Sequence, residues 1–240
     1  MRRFERLFYA AALPLGKTMY VFGGGWDKKD KGAGKEATQL FASSKWENFF
    51  MAQDQSYNYR DHLYKIHNGL DCSGYIGFCI YNALECKNGQ KGYVTRARDM
   101  GDFLSGKGFG RIISKQAVKD YLPGDIMYCD NHVYMVLGAC SDGSVLLIHS
   151  SPPGVQINGT VCPCGSKQSL ASSLAESFMK DNYPCWYAKF PHVIKPREYL
   201  EKYNQFRWHS GSNAAFSGVD EVRNKSCRQI LQLLSGKNGT

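Results

Sequence analysis

The segment YLPGDIMYCDNHVYMVLGACSDGSVLLIHSSPPGV, Tyr121 to Val155, is the part of the chain with the fewest ways to fold. Pro123-Gly124-Asp125 marks a turn. Three apolar runs follow, over 126–129, 132–137 and 144–150, separated by Asp130-Asn131 and Ser141-Asp142-Gly143. Short polar connections of this kind join neighbouring antiparallel strands. The spacing therefore predicts a β-meander.

Helical patterns surround it. Tyr75, Ile76, Cys79, Ile80, Ala83 and Leu84 form one apolar stripe over 72–84, closed by Asn88-Gly89. Phe4, Leu7, Phe8 and Ala11 form another, ending before Pro14. Shorter helices are predicted over 95–104, 169–180 and 226–234, and a further strand over 186–190. Asp27 to Leu70 reads as an insertion: a flexible DKKDKGAGK start, then a run rich in aromatic residues. Ser44-Lys45-Trp46-Glu47 looks like a capping box, and Asn68-Gly69 like the end of a second helix over 57–66, so a helical hairpin is expected. The fold class is α+β, one domain over 1–240, with an insertion at 27–70 and an extension at 191–240.

Composition narrows the function. Thirty Lys and Arg against 21 Asp and Glu give a net charge of +9, which favours anionic partners. The charge is dispersed, without zinc-finger spacing, an RNA-binding aromatic motif or a basic block, so nucleic acid is not the expected partner. No apolar run reaches the roughly 18 residues of a membrane helix. The first residues imitate an export signal, but Glu5 and Arg6 interrupt the apolar stretch, and an amphipathic helix fits better. Cys162-Pro163-Cys164 has one residue between its thiols, too few for a usual metal-ligand pair, so free thiols or a disulfide to Cys185 are expected. His62, His67, His192 and His209 read as surface or structural histidines.

The reactive candidate is Cys72, in GLDCSGYIGFC. Asp71 is a strong N-cap, which puts Cys72 in the first helical turn. There the helix dipole favours an anion and predicts a lowered thiol pKa. A nucleophile needs a base. His132 and His149 fall at the same end of adjacent meander strands. A two-residue loop at Asp142-Gly143 leaves them an even number of positions off direct opposition, so both lie on one face. A longer loop or a bulge is needed to bring them adjacent. Two imidazoles there can serve as base (His132) and as the group that orients it (His149).

MYVFGGG, DCSGYIGFC, LPGDIMYCDNHVYMVLG and LLIHSSPPGV, in that order, resemble the NlpC/P60 cysteine peptidases over roughly Phe4 to Gly154, minus the insertion. The resemblance implies a papain-like core: an antiparallel sheet packed against helices, the nucleophile at a helix N-terminus. It implies hydrolysis of peptidoglycan stem peptides at the D-γ-glutamyl–diamino acid bond through a thioester, without a metal or cofactor. Cys72 then corresponds to the nucleophile, His132 to the base, His149 to the polar third residue and Tyr20 to a tyrosine beside the thiol. Asp71 and Ser73 correspond to positions that hold the stem peptide. The Cys72 N–H is an oxyanion donor by geometry. A wall substrate implies work at the cell wall or outside the cell, while the absence of a clear export signal leaves the cytoplasm open. The insertion departs from the family's short loop and is expected to edge the cleft. An amidase or acyltransferase of the same fold, and a wall-binding protein without catalysis, are the alternatives.

Overall fold

The computed structural model describes residues 3–84, 87 and 90–236. In chain order its elements are α1 (Arg3–Ala12), β1 (Met19–Tyr20), α2 (Ser44–Met51), β2 (Gly69–Leu70), α3 (Cys72–Leu84), α4 (Met100–Gly106), β3 (Gly110–Ile113), β4 (Ile126–Tyr128), β5 (Val133–Ala139), β6 (Val145–Ser151) and β7 (Gly154–Thr160). Then come α5 (Leu170–Asn182), α6 (Pro184–Lys189), β8 (Ile194–Lys195), β9 (Asn204–Trp208), α7 (Val219–Arg223) and α8 (Cys227–Leu234).

The fold is α+β, with one sheet packed against helices. Its strand order is β2-β1-β7-β6-β5-β4-β9-β3, with β8 also on β7. The predicted meander is its centre: β4, β5 and β6 pair antiparallel in sequence order. The sheet is not wholly antiparallel, because β1–β2 and β7–β8 run parallel. Period-2 alternation sorts β5 and β6 between two cores. Val133, Met135, Leu146 and Ile148 join α1 and α3 in the main core, while Tyr134, Val136, Val145 and Leu147 face Leu200 and Tyr203. Residues Arg197–Lys202 form a 3-10 helix on that second side.

The helix start at Cys72 is seated by close backbone packing. Gly23 and Gly25 take left-handed φ values of 82° and 93°. A Cβ on Gly74 would lie 3.0 Å from the Gly25 Cα and would strike the Gly24 carbonyl. Only glycine allows this approach. The far end of α3 runs toward Asn88-Gly89, which lie outside the described residues.

Three expectations are corrected. The insertion is not a helical hairpin. It holds one α-helix, capped by Ser43 rather than Ser44, and short 3-10 turns at Tyr59–His62 and Ile66–Asn68. The second helix fails because Tyr64 is left-handed (φ 56°) and its N–H donates to the Phe22 carbonyl at 2.9 Å. Gly69, expected to end it, is extended and pairs with Met19. The predicted strand over 186–190 is helix α6, begun by Pro184, whose fixed φ suits a first helical turn. Cys162 and Cys164 are disulfide-bonded to each other, leaving Cys185 a free, exposed thiol. Among the described residues no group of three His, Cys, Asp or Glu is placed to hold a metal.

The insertion is fused into the core. Trp46 is fully buried, with its ring edge-on to Phe78 of α3 at 5.5 Å. Lys189 Nζ donates to the carbonyls of Phe50 and Gln53, at 3.3 and 2.6 Å, at the end of α2. A cation there complements the helix dipole. The extension also belongs to the core. β9 lies between β4 and β3, and its Arg207 donates to both oxygens of the fully buried Asp125. The turn aspartate of Pro123-Gly124-Asp125 is thus locked to the C-terminal strand.

Candidate active site

Asp71 builds the platform on which Cys72 sits. Its Oδ1 accepts from the Gly74 N–H at 2.7 Å and from the Ser73 hydroxyl at 2.9 Å. Its Oδ2 accepts from the Gly23 N–H at 3.2 Å. Ser73 in turn accepts from the Trp26 indole N–H at 3.0 Å. These bonds cap α3 and tie it to the glycine turn. Both side chains border the cavity, and their polar atoms are already engaged by the protein.

Cys72 opens α3 and is 7% exposed. Its thiol pKa is not lowered, as the helix position alone predicts. It is pushed up, first by burial and then by the Asp71 charge. The N–H groups of Val133, Ser73 and Cys72 pull the other way and are outweighed. The resting sulfur therefore carries its proton, and a base must remove it. The Val133 contact places the start of β5, and with it the backbone of the preceding residue His132, beside the sulfur.

His132 and His149 meet through a register shift. Ala139 pairs with Val145, but Val136 pairs with Leu147, and a bulge lies between. Beyond it His149 sits diagonally from His132 on the same face, and their Nε2 and Nδ1 atoms are 2.9 Å apart. His149 Nε2 lies 2.8 Å from Asn158 Oδ1, and the Asn158 amide donates to the His192 carbonyl at 3.3 Å. This chain assigns the protons. Asn158 must present its oxygen, so His149 carries its proton on Nε2. His149 Nδ1 is then an acceptor, so His132 donates from Nε2 and keeps its Nδ1 lone pair free. Neutral His132 thus carries an unprotonated Nδ1 that can accept a proton.

Both histidines stay neutral at physiological pH. Burial, reinforced by the Lys195 charge, lowers the His132 pKa to about 3. Burial, Lys195 and His132 hold His149 well below its ordinary value, against an upward pull from Asn158. Tyr199 covers the pair, with its hydroxyl 3.3 Å from His149 Nδ1. Asn158, Lys195 and Tyr199 were not anticipated. Asn158 lies in GVQINGT, where Val155 and Ile157 enter the main core and Gln156 and Asn158 alternate with them; that polar face reads as exposed, yet both of its side chains are buried.

A cavity of about 440 Å³ opens over Cys72, lined also by Tyr20, Asp71, Ser73 and Arg98. Tyr20 is held protonated by burial, then by the Cys72 and Asp71 charges, so its hydroxyl is a donor at neutral pH. The insertion shapes this side: Tyr59 stands edge-on to the Tyr20 ring at 5.3 Å, and the Tyr57 hydroxyl donates to the Tyr20 carbonyl at 2.7 Å. Tyr20, Asp71, Cys72 and Ser73 thus share one cavity, His132 and His149 share one hydrogen bond, and Val133 joins the two groups. Asp71, buried with three donors around it, has its pKa raised to about 6 by burial.

No protein-family model, curated protein or solved structure matches this chain.

Proposed function

We propose that the chain is a cysteine peptidase of the NlpC/P60 type, with a papain-like core, that hydrolyses peptidoglycan stem peptides at the D-γ-glutamyl–diamino acid bond. The observation that carries this reading is the ordered relay Asn158–His149–His132, ending on the strand whose first N–H meets the Cys72 thiol. The relay selects one tautomer of His132, with Nδ1 unprotonated, on a strand whose next residue touches the thiol.

The chemistry follows from these groups. His132 Nδ1 takes the thiol proton as the sulfur attacks the scissile carbonyl. The developing oxyanion is met by the Cys72 N–H, which has no intrahelical acceptor, and by the Tyr20 hydroxyl. His132 then passes the proton to the leaving amine, which departs and leaves a thioester on Cys72. A water, deprotonated by His132, attacks the thioester and releases the γ-glutamyl carboxylate. Asp71 and Ser73 act mainly by holding the helix start against the glycine turn. Arg96 and Arg98 border the cavity, where they suit the carboxylates of a stem peptide.

The test is digestion of defined muropeptides by the intact chain and by Cys72→Ala. The expected result is products cut at the γ-glutamyl bond by the former only. Equal cutting by both overturns the assignment. Intact muropeptides with turnover of another γ-glutamyl donor move the reading to acyl transfer.

A further inference from the structure

A second sulfur site lies away from this cleft. Cys140 follows β5 and Cys227 opens α8, and their Sγ atoms are 3.2 Å apart. Cys140 is half-buried and Cys227 buried. Both line a cavity of about 350 Å³ between α5, α8 and the end of β5, with Leu170, Leu174 and Arg228. Access and approach are thus both provided. The two thiols differ in character. The Cys140 thiol is pushed down, chiefly by its hydrogen bond with Cys227, with Ser144 and the Arg228 charge assisting against burial, whereas Cys227 is pushed up by Cys140 and by burial. One sulfur is suited to attack and its neighbour to follow.

The position is also closely packed. A Cβ on Gly138 would lie 3.0 Å from Cys227 Sγ, and Gly138 borders the bulge that sets the His132–His149 register. Residues 87 apart in sequence would be joined here. Closing so long a loop restricts the unfolded chain strongly.

We propose that Cys140 and Cys227 form a dithiol–disulfide site that accepts a low-molecular-weight disulfide as oxidant and fastens α8 to the end of β5. The Cys140 thiolate attacks one sulfur of the small disulfide, whose S–S bond breaks and releases one thiolate. Cys227 gives its proton to solvent, attacks the Cys140 sulfur and expels the second thiolate. Two protein thiols are oxidised by two electrons, and the small disulfide is reduced to two thiols. The site does not depend on the peptidase reading.

The test incubates the reduced full chain with oxidised glutathione and maps its disulfides under non-reducing conditions. The expected result is a Cys140–Cys227 cross-link with loss of two hydrogens and no glutathione retained on either residue. Thermal unfolding of that species is expected several degrees higher, returning to its starting value with dithiothreitol. Cys227→Ser is expected to stop at a stable glutathione adduct on Cys140. Glutathione retained on Cys140 of the unmutated chain overturns the proposal. So does a free Cys140 under conditions that modify the exposed Cys185. The unmutated chain alone decides the outcome if the variant does not fold.

Discussion

Replacing Asn158 with leucine should disable a residue that touches neither substrate nor nucleophile. Asn158 accepts the His149 Nε2 proton at 2.8 Å in a site with 1% exposure, so no water replaces it. A buried donor left unpaired costs about 1–3 kcal/mol. His149 recovers that energy by moving its proton to Nδ1. It then presents a donor to His132, which must accept on Nε2 and carry its own proton on Nδ1. The productive tautomer thereby loses about 1–3 kcal/mol of preference, which is about 5- to 150-fold in population. Expressed per folded molecule, kcat/KM on a cleaved stem peptide should fall by that range. The rate of Cys72 alkylation should fall in parallel. Nitrogen chemical shifts of His132 should show Nδ1 unprotonated in the parent and protonated in Asn158→Leu. A folded variant with unchanged rate and unchanged His132 shifts would refute the relay.

Other outcomes follow from the same structure. Half-buried, neutral His132 has a folded pKa near 3 against about 6.5 unfolded, so its stabilising contribution is complete above 6.5 and is lost as pH falls toward 3. This amounts to about 5 kcal/mol at most. Asp71, raised to about 6, opposes the loss, because its folded form takes up a proton before the unfolded chain does. Urea unfolding at pH 7 and pH 4 should therefore show less acid destabilisation in His132→Gln than in the parent. Arg207→Leu leaves Asp125 buried without its cation and should cost about 3–5 kcal/mol, visible as a lower thermal midpoint. Trp46→Ala should cost about 3–5 kcal/mol, because the insertion is anchored in the common core; a loss below 1 kcal/mol would mark it as an independent appendage.

The catalytic candidates were legible because their signals are local. An N-cap followed by cysteine announces a helix start, and period-2 strands with short turns bring His132 and His149 to one face. The sequence could require a longer loop or a bulge but not place it; the register shifts between Val136 and Gly138, where a glycine with φ 151° packs against Cys227, 89 residues later. Asn158 was invisible for a similar reason: the polar face of an alternating strand reads as exposed until its partners are known. The helix dipole argument gave the wrong sign for the Cys72 pKa because it omitted burial and the charge of its own cap. The insertion misled because its aromatic side chains are spent on tertiary pairs, such as Tyr59 with Tyr20, rather than on a helix face.

The most direct test of the central claim is to trap the covalent intermediate. The chain should be acid-quenched during incubation with a γ-D-glutamyl stem peptide, then analysed by intact mass and peptide mapping. A γ-glutamyl acyl group on Cys72, absent from Cys72→Ala and slow to form in Asn158→Leu, is the expected result. Turnover with no acyl group on Cys72, or with the acyl group on another residue, would contradict the account.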